Sequence, residues 1–425
     1  MESTRNIAQE NECERKRNKL DNQCEFFMEK KGRRCRMQKK SGRIYCSEHM
    51  IFDKSNENDR IPCPYDNNHT VWAQDLQLHL RKCNARPKET NENWYTRDLN
   101  LSLDKSPVNE NYSDTFAMDG FIKILQKFQD KIWSLELRVK IHDYLNTRLE
   151  EILNKKYTIQ QASLIGNMKD LGLLSPKAFY LEFGCGKAEL SRYVGLCIQK
   201  DLTSGDGSEY PSYGFGLIDR GVNRMKMDSK IRLDASEGKY SFSPRIKRTR
   251  IDIKDINLDA FLEDVDHEEI VVISKHLCGA ATDLTFNLLV NSSLLQPGSR
   301  LRGLTIAMCC RHACCYESLL PNSKKYLRSM GIEKASDFNS LKRIASWALS
   351  GNRSTPKNGT DYDKSQLVGS KMEDLGLTAR HLIDESRVIG LNDILTERGF
   401  EANLFLYVEK EVTLENSCIY IKRKE

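Results

Sequence analysis

From residue 178 onward, short runs rich in β-branched and aromatic residues alternate with helical stretches, and this alternation limits the fold more than any other feature of the 425 residues. The runs are AFYLEFG, YGFGLID, RTRIDI, EIVVISK and LRGLTIAM. Strands separated by helices bury both faces only in a parallel sheet with helices packed above and below. A polar insertion at 350–375 and the helical LTARHLIDESRVIGLNDILTERGF follow; then EANLFLYVE and SCIYIKRK stand side by side with no helix between them. Neighbouring strands of that kind pair antiparallel. Residues 177–425 are therefore expected to form one α/β domain, a seven-stranded doubly wound (Rossmann-like) sheet whose ligands sit beyond the carboxyl ends of the strands.

The first 176 residues lack this alternation. Cys24, Cys35, Cys46 and His49 supply three thiolates and an imidazole, a closed tetrahedral zinc set, and predict a Cys3His module over 13–55. Cys63, His69, His79 and Cys83 predict a second, Cys-His-His-Cys finger over 58–86. His79 and Cys83 are four apart, a spacing that one helix face can present. Segments this short bury too little apolar surface to fold unaided, and the metal supplies the difference. Two zinc ions are expected.

Charge is uneven along the chain. Residues 1–86 hold 18 Lys and Arg against 13 Asp and Glu, nearly all of the chain's net +6. The densest stretch, EKKGRRCRMQKKSGR at 29–43, runs through the first cysteine set and reads as a phosphate-contacting surface. Residues 87–115 are polar and aperiodic, a linker that Trp94 and Tyr95 could dock. Phe121, Ile124, Leu125, Phe128, Ile132, Leu135 and Val139 then recur at helical spacing, which predicts a core-facing helix through 119–150 inside a helical segment 116–176. No apolar run approaches the ~18 residues of a membrane span. The expected setting is a reducing compartment, cytoplasmic and/or nuclear, with no membrane and no obligate protein partner. There, the fourteen cysteines serve as ligands or small buried hydrophobes rather than disulfides.

The first strand runs into YLEFGCGKAEL, whose Gly184 and Gly186 let the backbone turn sharply at a helix N-terminus. Asp219 closes the second strand, where an acid can accept from ribose hydroxyls, and Asp252 closes the third. Dinucleotides and S-adenosylmethionine both suit such a crevice. Glu182, just before the glycines, repels a pyrophosphate but is tolerable beside a sulfonium amino acid, which favours S-adenosylmethionine.

Reacting groups gather beyond the fourth and fifth strands, in ISKHLCGAATDL and IAMCCRHACC. No Asp/Asn-Pro-Pro-aromatic turn is present there, so exocyclic amines are unfavoured targets. Two chemistries remain. A thiolate from Cys278 or Cys310 could add covalently to a cytosine ring, or Lys275, His276, Arg311 and His312 could supply the base or cation that a ribose hydroxyl needs to lose its proton as a methyl group transfers. A third reading is a zinc-dependent RNA-binding protein without catalysis, against which the intact glycine and acid positions argue. Cys309 and Cys310 are expected at a strand end on opposite faces, which disfavours a third metal site.

The two Cys/His sets, with QQASLIGNMKDLGLL, LEFGCGKAELS, ISKHLCGAATDL and IAMCCRHACC, resemble the eukaryotic tRNA 2′-O-methyltransferases that modify the fourth nucleotide of the acceptor stem. The resemblance covers most of 20–420. It implies two N-terminal zinc modules, an S-adenosylmethionine-dependent methyltransferase domain and the tRNA acceptor stem as substrate. Asp283, within the matching TDL, becomes a candidate for orienting Lys275 or the ribose. Ala188 stands where family members often have a third small, glycine-like residue. The Lys-Asp-Lys-Glu tetrad of other ribose methyltransferases is not visible.

Overall fold

The computed structural model describes residues 22–28, 33–53, 60–83, 92–103, 118–132, 135–153, 155–204, 210–223, 225–349 and 369–424. The chain divides between Asn91 and Glu92 into an N-terminal unit and a larger unit.

In the larger unit, β1 (Ala178–Phe183) is buried at every residue, as a central strand covered on both faces must be. Its side chains alternate: Phe179, Leu181 and Phe183 enter one apolar cluster, Ala178 and Tyr180 the other. Six further strands complete the sheet: β2 (Gly214–Ile218), β3 (Ile246–Thr249), β4 (Glu269–Leu277), β5 (Leu301–Met308), β6 (Phe400–Leu406) and β7 (Ser417–Arg423). Their order is β6-β7-β5-β4-β1-β2-β3. β1 pairs parallel with β2 and β4, and the outward order reverses between β1 and β4. That switch point opens a crevice at the carboxyl ends of the strands. β7 runs antiparallel to both β5 and β6, so the two helix-free runs close the sheet as expected.

Two elements differ from the sequence reading. β3 stops at Thr249, opposite Ile218, where β2 ends. Asp252 lies beyond it and caps the turn Ile253–Asp255, its carboxylate accepting from the Lys254 N–H at 3.2 Å. The helix expected through 119–150 is two, Met118–Ile132 and Asp143–Glu151. Between them Leu137 bridges Leu406, and Arg138 N–H donates to the Leu406 carbonyl at 2.8 Å. The edge of β6 claims these residues for strand pairing, which satisfies backbone groups that would otherwise stand open. Leu125 and Phe128 are buried against Leu327, Phe338 and Leu382, whereas Val139 is exposed.

The described part of the expected linker, 92–103, is packed. Trp94 meets Phe261 edge-on at 5.6 Å, and buried Asn100 donates to the carbonyls of Ile253 and Ile256, both at 2.8 Å. Residues 87–91 and 104–115 lie outside the described residues. No described helix is long and apolar enough to cross a membrane.

Candidate functional site

In the N-terminal unit the short hairpin Phe27–Met28/Arg33–Arg34 brings Cys24 and Cys35 together, and one turn at Cys46–His49 supplies the other two groups. Cys24 Sγ lies 3.5 Å and Cys46 Sγ 3.4 Å from His49 Nδ1; Cys35 and Cys46 sulfurs are 4.0 Å apart. Phe26 stacks on the His49 ring at 4.0 Å. The second set is built by the hairpin Arg60–Cys63/Asp66–Trp72 and the helix Leu76–Lys82. Its sulfurs, Cys63 and Cys83, are 3.7 Å apart, and His69 Nε2 and His79 Nε2 are 3.2 Å apart. Tetrahedral ligands at about 2.3 Å from zinc would be separated by about 3.8 Å, so both sets fit zinc. Cys83 is not on the helix face with His79. It is the C-cap, with ψ 131°, and reaches the site by leaving the helix.

In the larger unit the β1 turn is held from several sides. Gly184, Gly186 and Ala188 alternate at φ 64°, 51° and 66°. The left-handed region favours glycine, which explains a glycine-like residue at position 188 and makes Ala188 a strained one. A Cβ on Gly184 would lie 3.2 Å from a Leu277 methyl, so the turn sits tight against the end of β4. Asp219 accepts from the Gly186 N–H at 2.7 Å and the Gly221 N–H at 2.6 Å, which leaves further lone pairs on each oxygen. Glu182 is turned inward: its carboxylate accepts from the Ser191 hydroxyl at 2.5 Å and N–H at 3.2 Å, and burial raises its pKa to about 7. It ties the turn to the helix Glu189–Ser204 rather than facing the crevice.

At the end of β4 the register shifts between Lys275 and Leu277, leaving His276 as a bulge residue at φ 63°. Bulges re-aim side chains at sheet ends, and a non-glycine residue held there is strained. His276 Nε2 is buried with no hydrogen-bond partner among the described residues, and burial lowers the ring pKa to about 4. Lys275 Nζ donates to the Tyr157 carbonyl at 3.4 Å and lies 5.6 Å from the Tyr157 ring. Burial lowers its pKa to about 8, against the raising influence of Glu189 and Glu182 and with a lowering one from Arg148.

Asp283 and Arg311 do not join this group. Arg387 donates to both Asp283 oxygens at 2.8 and 2.7 Å and to Asp384 at 3.1 Å; Arg311 grips Asp384 at 3.1 and 2.6 Å. All four side chains are at most 2% exposed. They form a closed ion-pair network that braces the helix Ala280–Asn291 and the β5 end against the helix Gly369–Leu395. Removing one member of such a network strands the others, so Arg387→Ala should lower unfolding free energy by about 3–5 kcal/mol, read as a shift in the denaturant midpoint. His312 is exposed.

With this geometry in place, the chain matches the family model "Methyltransferase TRM13" over residues 159–422. It also matches "CCCH zinc finger in TRM13 protein" over 22–50 and "U11-48K-like CHHC zinc finger" over 60–84. It is 50% identical to the "tRNA:m(4)X modification enzyme TRM13" of Debaryomyces hansenii, covering 94% of this chain and 91% of that one. To the enzyme of the same name from Saccharomyces cerevisiae it is 35% identical, covering 95% and 96%. The chain belongs to the TRM13 methyltransferase family. Among solved structures it is similar to the plantazolicin methyltransferase BpumL in complex with SAH, with TM-score 0.27 and 12% identity, covering 72% of this chain and 98% of that one.

The chain is thus a TRM13-family methyltransferase whose crevice would hold S-adenosylmethionine as methyl donor, and the two N-terminal sets hold zinc. The crevice fits the donor: two left-handed glycines let the backbone approach it, and Asp219 keeps acceptor capacity for its ribose. Asp219→Ala should raise the cofactor Kd by about tenfold, the loss of one charge-assisted hydrogen bond, with a smaller effect on turnover at saturating cofactor; calorimetric titration beside single-turnover rates checks this. Two groups beside the crevice went unread in the sequence. Arg248 pairs with Asp228 at 2.6 and 2.8 Å and donates to the Gly186 carbonyl at 3.2 Å, clamping the turn from β3. Tyr157 covers Lys275. Nothing in local sequence tells which of the basic residues in RTRID points inward. Asp384 and Arg387 left a trace, two opposite charges three apart inside an otherwise apolar helical pattern.

Proposed function

We propose that this methyltransferase transfers the methyl group of S-adenosylmethionine to a ribose 2′-hydroxyl of tRNA, at nucleotide 4 of the acceptor stem. The observation that carries the reading is Lys275: an amine at the end of β4, beside the cofactor turn, whose burial holds its pKa near 8. A hydroxyl becomes a competent nucleophile only as it loses its proton, and a base with a pKa close to the working pH does this best. When bound, S-adenosylmethionine supplies an electrophilic methyl carbon. Gly184, Gly186 and Asp219 would hold it at the β1 turn. Lys275 Nζ, as the neutral amine, takes the hydroxyl proton, and the Tyr157 carbonyl holds that nitrogen in place.

The relatives' names leave the modified nucleoside as X. A target whose base is not fixed fits the ribose, which every nucleotide shares. An A-form stem exposes its 2′-hydroxyls in a wide, shallow minor groove and is recognised by shape and phosphates. Exposed Arg34, Arg36 and Lys40 on the first zinc module suit phosphate contact. Incubating the protein with unmodified tRNA and S-adenosylmethionine, then digesting to nucleosides for mass spectrometry, should give a 2′-O-methylated nucleoside from position 4; a ring-methylated base would overturn the reading. One observation favours a second reading, cytosine ring methylation: hydrogen bonding from the Cys309 thiol, and then from Cys310, holds the exposed Cys278 thiol below its usual range. A covalent adduct with 5-fluorocytosine RNA would support it.

A further inference from the structure

IAMCCRHACC contains four cysteines, and the structure separates them into two kinds. Cys314 is buried beside Arg387, 2.9 Å from its guanidinium, and Cys315 donates to Glu317 at 2.7 Å. Cys309 and Cys310 instead converge on Cys278 from the neighbouring strand, and the three sulfurs lie within 4.8 Å of one another. The alternation that would send Cys309 and Cys310 to opposite faces does not operate, because β5 ends at Met308 and both follow it, Cys310 at ψ 70°. We propose that Cys278, Cys309 and Cys310 form a third metal site, which takes a thiophilic divalent ion of the zinc type and leaves a fourth coordination position open.

The chain carries its own standard for comparison. Its two zinc modules place sulfurs 3.7 and 4.0 Å apart; Cys278 and Cys310 are 3.5 Å apart. The third cluster thus has the dimensions of a ligand set of about 2.3 Å bonds. Its backbone is fixed in advance, as ligand loops require. Arg311 donates to the Met308 carbonyl at 2.9 Å and the Cys309 carbonyl at 3.0 Å, and Arg380 reaches the Cys309 carbonyl at 3.3 Å. On the other strand the His276 bulge sets the start of the turn that carries Cys278, whose thiol lies 3.2 Å from the His276 carbonyl. Access is provided, since Cys278 is exposed, Cys310 half-buried and Cys309 buried at the back. Three thiolates exclude hard ions such as magnesium. As each sulfur binds, its thiol proton passes to solvent. Three protein ligands with one open position is the arrangement of reactive rather than purely structural zinc, and this one sits at the strand ends next to Lys275. A disulfide between Cys278 and Cys310 is the competing chemistry, and it would leave the buried Cys309 thiol alone.

The test is a metal count on the full-length protein, expressed with zinc and purified under reductant, by native mass spectrometry and elemental analysis. Three zinc ions per chain are expected. Cys309→Ser with Cys310→Ser, and separately Cys278→Ser, should each lower the count to two while cofactor binding shows that the domain is folded. For protein carrying only two ions, titration with cadmium should add one equivalent with thiolate charge-transfer absorption, absent in the Cys278→Ser protein. Two ions in the unmodified chain with no further cadmium uptake would overturn the site, as would an intact mass showing the Cys278–Cys310 disulfide under the same reductant. These readouts do not depend on which atom of the tRNA is methylated.

Discussion

Lys275→Ala should lower the methyl-transfer rate by about 10²–10⁴-fold, the usual contribution of a positioned general base, and leave the cofactor Kd nearly unchanged. The separation follows from position: the cofactor turn is held by Asp219, Arg248 and Glu182, and Lys275 makes none of those bonds. Its own contact is the Tyr157 carbonyl. The pH profile gives a second readout. Because burial depresses the pKa of Lys275 to about 8, the base form is scarce below that pH and dominant above it. The single-turnover rate should therefore rise nearly tenfold per pH unit on the acid side and level off above about 8. Glu189 and Glu182 favour the protonated amine and Arg148 opposes it; Glu189→Gln should move the inflection down, since it removes a negative neighbour. Single-turnover kinetics at saturating cofactor across pH measure both. A Lys275→Ala protein of normal rate, or equal losses in rate and cofactor affinity, would remove the lysine from the chemistry.

Loss of a zinc ligand should be equally severe, but on binding rather than chemistry. Among the described residues of the first module, Cys24, Cys35 and Cys46 themselves form the buried cluster, with the partly buried Phe26, Met28 and Tyr45 packed against it. Metal binding therefore stands in for the hydrophobic core, and its typical worth of ~10–16 kcal/mol exceeds anything those three side chains contribute. The two modules are also joined: Glu48 of the first accepts from Thr70 N–H of the second at 2.9 Å and from Arg60 at 3.4 Å. Cys24→Ser or His79→Ala should unfold its own module, loosen the other and abolish measurable tRNA binding, with the melting of residues 92–425 unchanged. Hydrogen exchange resolved by peptide, beside a tRNA filter-binding assay, distinguishes this from global unfolding.

β1, β2, β4 and β5 were legible because they are buried on both faces and flanked by helix, and the closing pair because nothing helical separates it. The helix through 119–150 was not, since the stripe reads only local period and the edge of β6 captures residues 136–138 through tertiary pairing. The same limit applies to side chains at the site. Gly184, Gly186 and Asp219 announce themselves by residue type at a strand end, and Lys275 by following a strand. Asp283 and Arg311 have equally suitable chemistry. Their partners, Arg387 and Asp384, come from a helix about a hundred and about seventy residues away, and only the fold reveals that both are spent in a buried network. For Cys309 and Cys310 the period-2 rule was sound but applied one residue too far, past the end of β5.

The central claim is that the methyl group goes to a ribose oxygen, and one substrate tests it most directly. A tRNA carrying a 2′-deoxynucleotide only at position 4 keeps the base, the stem and the phosphates, and lacks the reacting hydroxyl. Transfer of labelled methyl from S-adenosylmethionine to this tRNA should fall to background while its Kd stays close to that of the all-ribose tRNA. Labelled methyl still entering position 4 of the deoxy substrate would place the group on a base and contradict the account.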